Sequence, residues 1–349
     1  MMTDSAAIPV NLITGFLGSG KTTLLRRLLA SPALTRTAVL VNELGEIGLD
    51  HLLLRAVDER TVVLPSGCVC CSLRSDLSAA IRDLLSQRER GLLPPFDRIA
   101  IETTGLADPG PILFTIMAHP VIRHHVRLGN IVTTVDGVNG HRTLARNPES
   151  IKQVAVADRL VITKTDLAGA DSVEALRHEL RQYNPGAPIL DSVDSLDPDT
   201  LVTRDLHDAS GRLQDAARWG HLGLGSAGLD SDVGGRTASR HSNDIATLAL
   251  TFDEPMDWTA FGIWLSMLLH RHGEQVLRVK GILQVAGVPT PVIVQGVQHL
   301  VHPPMHLERW PTADHRTRLV FIVRGLDRRQ LERSLAAFNR LGTRTGSAA

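Results

Sequence analysis

The sequence predicts an α/β domain followed by a small α+β domain, on three observations. Over roughly the first 190 residues, short runs rich in Val, Ile and Leu alternate with segments of helical period, the pattern of strands and crossover helices. From His207 to Asn243 the texture changes to Gly, Ser, Asp, Arg and His with little periodicity, including Leu222-Gly223-Leu224-Gly225-Ser226, which reads as a flexible linker. Beyond it, strands and helices mix within about 100 residues. The expected division is therefore 1–206, a linker over 207–243, and a second domain over 244–341.

The elements follow in order. Strands are expected at Pro9 to Thr14, Thr37 to Asn42, Thr61 to Leu64, Arg98 to Glu102, Asn130 to Asp136, Arg159 to Thr163 and Pro188 to Leu190. Their near-continuous apolarity fits parallel strands buried on both faces. Ser75 to Arg88 and Ser172 to Tyr183 are amphipathic and expected as covering helices. In the second domain the pattern gives a strand from Asp244 to Phe252 and a helix from Asp257 to Arg271. A strand pair follows, Gln275 to Val285 and Pro291 to Leu300, joined near Gly287 and Pro289, then a strand from Arg318 to Val323 and a helix from Arg328 to Arg340. No internal repeat is present.

Composition narrows the partners. Of 349 residues, 43% are apolar and 21% charged, an ordinary globular balance. The 37 basic residues offset 37 acidic ones, so no net field gathers nucleic acid or an anionic membrane. No run reaches 18 apolar residues and no basic region precedes the first apolar run, so neither a membrane span nor a signal peptide is expected. A cytoplasmic location follows as the expectation. Nothing in the sequence sets an oligomeric state.

Gly15-Phe16-Leu17-Gly18-Ser19-Gly20-Lys21-Thr22 matches G-x-x-x-x-G-K-[ST], after an apolar strand and before the helix-prone TLLRRLLA. The chemistry requires these types. Glycines let backbone N–H groups turn inward around phosphates, Lys21 reaches the β and γ oxygens, and Thr22, followed by Thr23, offers a hydroxyl to Mg²⁺. The chain has only four lysines against 33 arginines, and Lys21 is one of them. The glycine spacing is not that of a dinucleotide fold, so a nicotinamide dehydrogenase is not supported.

The strand DRIAIE ends in Glu102 and runs into Thr103-Thr104-Gly105-Leu106-Ala107-Asp108-Pro109. An acid at a strand end beside a phosphate loop can hold Mg²⁺ or its waters, and Gly105 can bring a backbone N–H to a γ-phosphate. A helix cap is the other use of Thr, Asp and Pro there. Later, RLVIT leads into Thr163-Lys164-Thr165-Asp166, similar to the N-K-x-D motif that reads guanine. Asp166 can accept from guanine N1–H and its exocyclic amine, a donor pair adenine lacks, while the Lys164 stem covers the ring. Thr163 stands where Asn would and loses one amide contact. An ordinary strand-to-helix turn is the alternative.

All three cysteines, Cys68, Cys70 and Cys71, fall within four residues, which rules out a stapling disulfide framework. In an extended loop Cys68 and Cys70 point the same way and can pinch one ion, with Cys71 joining if the backbone turns. Thiolates favour Zn²⁺ or Cu(I), with Co²⁺, Ni²⁺ and Fe²⁺ also compatible; packing or a redox pair are the alternatives. Before the third strand stands Asn42-Glu43-Leu44-Gly45-Glu46-Ile47-Gly48-Leu49-Asp50, where P-loop GTPases carry a switch. Glu43 is a candidate for the catalytic chemistry and Glu46 for metal, with solvated carboxylates the alternative for Glu46 and Asp50. His299, His302 and His306 have metal-like spacing, but Pro303 and Pro304 break any helix there, which favours surface or packing roles.

Taken together, GFLGSGKTT, NELGEIGLD, GCVCC, ETTGLADPGP, ITKTD, VKGILQVAG, PVIVQGVQHLVHPP and RLVFIVRG resemble the CobW-like family of P-loop GTPases, relatives of HypB and UreG. The resemblance covers almost the whole chain outside the linker. It implies a Ras-like P-loop sheet with helices on both faces, a CobW-type C-terminal domain, GTP and Mg²⁺ as ligands, and a metal site at the C-x-C-C motif serving a client metalloprotein. The His-rich stretch many relatives carry between domains is nearly absent here, so metal storage by the linker is not expected. A small-metabolite kinase and a non-enzymatic metal buffer or thiol sensor are the competing readings.

Overall fold

The computed structural model describes residues 7–41, 61–63, 72–192, 197–205, 209–221 and 245–345. The chain divides into two compact units, the first comprising residues up to Leu180 with Ala187–Asp205, the second Arg181–Gly186 with the chain from Leu206 onward.

The first unit is built on seven strands: β1 (Ile8–Gly15), β2 (Thr37–Val41), β3 (Thr61–Val63), β4 (Arg98–Glu102), β5 (Val126–Asp136), β6 (Arg159–Thr163) and β7 (Ile189–Asp191). Every pairing is parallel and the order is β3-β2-β4-β1-β5-β6-β7. Helices α1 (Lys21–Leu29), α2 (Ser72–Glu89), α3 (Pro109–Ala118), α4 (Gly140–Arg146), α5 (Pro148–Val156) and α6 (Ala170–Tyr183) cover both faces. Leu24, Leu25 and Leu28 of α1 pack on Ile13, Val39, Val132 and Val161, which explains the unbroken apolarity of the strands. From β1 the sheet grows in both directions, and the crevice at that reversal is where ligands bind in such sheets.

Strand β5 starts four residues earlier than the apolar pattern indicates, at Val126 instead of Asn130. Asn130 is buried within it. Its N–H donates to Asn11 Oδ1 at 2.8 Å, and its amide donates to the carbonyls of Leu201 (2.9 Å) and Arg204 (3.0 Å). Its polar groups are satisfied, so it is tolerated inside the strand; Arg127 and Gly129 are what interrupt the apolar run before it.

The second unit is an antiparallel sheet of β8 (Ile245–Phe252), β9 (Val276–Leu283), β10 (Val292–Val297), β11 (Leu300–Val301), β12 (Met305–His306) and β13 (Thr317–Arg324). Its order is β11-β10-β9-β13-β8, with β12 also on β10. Between β7 and β8 lies α7 (Ala209–His221), and α8 (Trp258–His272) and α9 (Arg328–Thr345) complete the unit. Phe261, Trp264 and Leu265 of α8 and Leu331 and Leu335 of α9 share one core with Leu250, Val279, Leu319 and Phe321. Trp264 meets Phe321 edge-on at 6.1 Å and donates its indole N–H to Ser334 Oγ at 2.9 Å. Asp257 caps α8, accepting from the Ala260 N–H at 2.7 Å.

Helix α7 corrects the expectation of a structureless linker over 207–243 for residues 209–221. Ala216 and Trp219 sit in a second core with Ile282, Ile293 and Leu307, and the Lys280 ammonium lies 5.0 Å from the Trp219 ring. Few apolar side chains among Arg, Asp, Gly and Gln hid this helix from the sequence. No helix among the described residues is long and apolar enough to cross a membrane.

Candidate functional site

Parallel register sets the candidate residues along one sheet edge. Val63, Val41, Glu102 and Ile13 share a row across β3, β2, β4 and β1, while Gly15 pairs with Thr134 and Asp136 with Thr163. The loop from Gly15 to Gly20 leaves β1 at this edge and enters α1.

Its glycines are dictated by space and by backbone. At Gly15 (φ +142°) a Cβ would lie 2.4 Å from both the carbonyl and the hydroxyl oxygen of Thr134, and Gly18 and Gly20 sit at φ +72° and +87°. Gly20 caps α1 in the left-handed region; no side chain caps this helix and its first turn carries no acid. The amides and the dipole of α1 therefore remain for an anion. Lys21 folds back across the loop, its Nζ donating to the carbonyls of Gly15 (3.0 Å) and Phe16 (3.1 Å). Thr22 donates its hydroxyl to Glu102 Oε1 at 2.6 Å.

The loop after β4 lies against the phosphate loop, since a Cβ on Gly105 would stand 2.5 Å from the Leu17 nitrogen. Asp108 also uses the capping chemistry of its sequence. Its Oδ1 accepts from the Gly110 N–H at 2.9 Å at the start of α3, and its Oδ2 accepts from Lys152 at 2.9 Å.

Hydroxyls connect these loops underneath. Thr103 donates to Thr14 Oγ1 at 2.8 Å, and Thr134 donates to the Thr14 carbonyl at 3.2 Å. The Ser19 and Thr134 hydroxyls lie 2.7 Å apart and share a hydrogen bond. Thr163 donates to the Ser19 carbonyl at 2.8 Å. The Thr at the position of Asn thus gives up an amide but keeps a tether from the T-K-x-D turn to the phosphate loop.

Lys164 follows in the left-handed region, at φ +55°, and its Nζ donates to Asp136 Oδ2 at 2.8 Å. Burial alone would raise the Asp136 carboxyl. The Lys164 ammonium, the Asn139 N–H and side-chain amide, and the Val138 N–H outweigh it and hold the group below its ordinary value. Asp166 is exposed at a cleft of about 410 Å³ that Gly20, Thr23, Thr163, Lys164 and Ser192 also line. That size suits a small ligand. Arg27 lines the same cleft and donates to the Ser192 carbonyl, fixing one wall. Asp136, Arg27 and Ser192 were not marked by any motif; a lone Asp at a strand end carries no spacing signal.

Glu43, Glu46 and Asp50, and the cysteines Cys68, Cys70 and Cys71, lie outside the described residues. Among the described residues no group of three His, Cys, Asp or Glu side chains could hold a metal ion. His299 instead donates its Nδ1–H to the Leu269 carbonyl at 2.9 Å, the His302 N–H bonds the Gln295 carbonyl at 2.9 Å, and His306 pairs with Val292 in the sheet.

A parallel sheet with a phosphate loop at its reversal, an acid on the next strand and a T-K-x-D turn beside the cleft defines a P-loop GTPase. Within that class the chain belongs to the CobW/HypB/UreG family. The family's nucleotide-binding domain matches residues 9–191, and the cobalamin synthesis protein CobW C-terminal domain matches residues 245–339. The zinc chaperone YjiA of Escherichia coli is 34% identical over 298 residues, 84% of this chain and 87% of its own. The zinc chaperone CobW of Pseudomonas aeruginosa is 29% identical over 96% of this chain and 92% of its own. The crystal structure of Zn(II)-bound YjiA GTPase from E. coli covers 95% of this chain and 99% of its own with a TM-score of 0.67 at 27% identity.

Proposed function

We propose that this protein is a GTP-hydrolysing zinc metallochaperone that carries its metal on Cys68, Cys70 and Cys71 and passes it to a client metalloprotein. The observation that carries the reading is the Lys21, Thr22 and Glu102 constellation beside a T-K-x-D cleft, on a chain whose relatives are named zinc chaperones. The nucleotide-binding domain runs to about residue 206, and the C-terminal domain starts near residue 244.

In this mechanism Gly15, Gly18 and Gly20 present backbone N–H groups to the phosphates, Ser19 does so by exchanging the bond its N–H makes to the Phe16 carbonyl at 3.1 Å, and Gly105 presents one to the γ-phosphate. The Lys21 ammonium exchanges the carbonyls of Gly15 and Phe16 for the β and γ oxygens. A hydroxyl and a carboxylate oxygen 2.6 Å apart, those of Thr22 and Glu102, are the hard donors that suit Mg²⁺. When bound, that ion neutralises charge on the β and γ oxygens. Glu43 orients the attacking water. Thr163 and Lys164 flank the base while Asp166 accepts from guanine N1–H and its amine.

Three thiolates suit Zn²⁺, with Co²⁺, Ni²⁺ and Fe²⁺ as chemically related cargo. The register supports coupling between cargo and nucleotide. Val41 and Val63, which precede the NELGEIGLD and C-x-C-C segments, stand in the row of Glu102. Binding linkage is reciprocal, so GTP and metal must change one another's affinity by the same factor. Calorimetric titration of Zn²⁺ into the GDP-bound and non-hydrolysable-GTP-bound forms should give affinities differing by about 5- to 150-fold. The difference should vanish when Cys68, Cys70 and Cys71 are all replaced by Ser. Equal zinc affinity in both nucleotide states would overturn the chaperone mechanism.

A further inference from the structure

We infer that Asp136 is a positioning residue for base recognition, holding the Lys164 ammonium away from Asp166 so that Asp166 stays available to guanine. The inference rests on the base-reading role given above to Asp166. Lys164 and Asp166 stand two residues apart on one turn, and an ammonium on a flexible four-carbon stem is the nearest competitor in sequence for that carboxylate. The structure sends it elsewhere. Lys164 Nζ bonds Asp136 Oδ2 at 2.8 Å, leaving the Lys164 stem along the cleft that Asp166 also lines; Asp136 itself does not line it.

Asp136 is a rigid anchor. It is 8% exposed, and its Oδ1 accepts from the backbone N–H groups of Val138 (2.8 Å) and Asn139 (3.1 Å). The strand ends that carry the pair are fastened together as well. Gly137 N–H donates to the Thr163 carbonyl at 2.8 Å, and a Cβ on Gly137 would approach that same oxygen to 2.8 Å, so glycine is needed for the fit. The left-handed backbone of Lys164 is a conformation side-chain-bearing residues seldom adopt, which fits a turn shaped to aim this side chain at β5.

Oδ1 serves the backbone N–H groups, while Oδ2 accepts from Lys164 and, at 3.3 Å, from the Asn139 amide, so the Lys164-free background below isolates the Lys164 part. Asp136→Asn keeps an Oδ1 for the backbone N–H groups and replaces the oxygen facing Lys164 by a donor; Asp136→Ser keeps a capping oxygen too short to reach Lys164 and serves if the amide variant does not fold. Affinities of the full chain for fluorescent GDP and ADP analogues give the guanine preference directly. Asp136→Asn should cut that preference by about tenfold or more, the scale of a lost charge-assisted contact. Lys164→Met removes the competitor but keeps the stem, so Asp136→Asn in that background should change the preference by less than about twofold. Unchanged preference in Asp136→Asn, or an equal loss in both backgrounds, would overturn the inference and leave Asp136 a purely structural cap. A wild-type chain with no guanine preference would overturn the role of Asp166 and this inference with it.

Discussion

Gly105 carries no side chain because a Cβ would stand 2.5 Å from the Leu17 backbone nitrogen and 2.7 Å from its Cα, and backbone cannot swing aside as the Leu17 side chain could. We expect Gly105→Ala to force the loops apart and weaken GTP at least tenfold, about 1.4 kcal/mol. Nucleotide titration checks it, and unchanged affinity would mean that the two loops act independently. At this scale the sequence is legible where chemistry permits few residue types. Phosphate needs glycines and one ammonium at fixed spacing, so Gly15 through Thr22 stand out. Asp136 does not, because its partner Lys164 is 28 residues away and only the pairing of β5 with β6 brings them together. Thr163 illustrates the reverse case, a departure from a motif whose compensating bond to the Ser19 carbonyl exists only in three dimensions.

Strands and helices were legible in proportion to how continuous their apolar pattern is. The span of β6 coincides with its apolar run and β4 with its own, whereas the first four residues of β5 are broken up by Arg127 and Gly129. Helix α7 was illegible because it buries little beyond Ala216 and Trp219. Caps, by contrast, are local and readable. Asp257 holds the start of α8 through the Ala260 N–H, and its own N–H donates to Asn339 Oδ1 at 2.7 Å. Asp257→Ala should cost about 1 kcal/mol of stability, since the backbone bond to Asn339 survives and only the cap is lost. Urea denaturation measures this, and a loss above about 3 kcal/mol would show a role beyond capping.

The whole chain comprises two compact units with separate cores, which predicts two separable responses. Phe321 is fully buried against Trp264, and Phe321→Ala should cost the second unit about 3–5 kcal/mol. GTP at a hundredfold excess over its Kd should stabilise the first unit by about 2.7 kcal/mol. Calorimetry should resolve two transitions, one lowered by the substitution and the other raised by nucleotide; a single transition moved by both would refute independent units. The four lysines carry a consequence of a different kind. Lys21 rests on the phosphate loop, Lys152 on Asp108, Lys164 on Asp136 and Lys280 on the Trp219 ring, so each ε-amine occupies a distinct place in the fold. Reductive methylation with isotopic formaldehyde would therefore label the partly exposed Lys152 and Lys164 first, while the buried Lys21 and Lys280 would react only as the fold opens. The Lys152 label would report the turn after β4 and the Lys164 label the turn after β6, and the indole ring current of Trp219 would shift any label at Lys280 upfield.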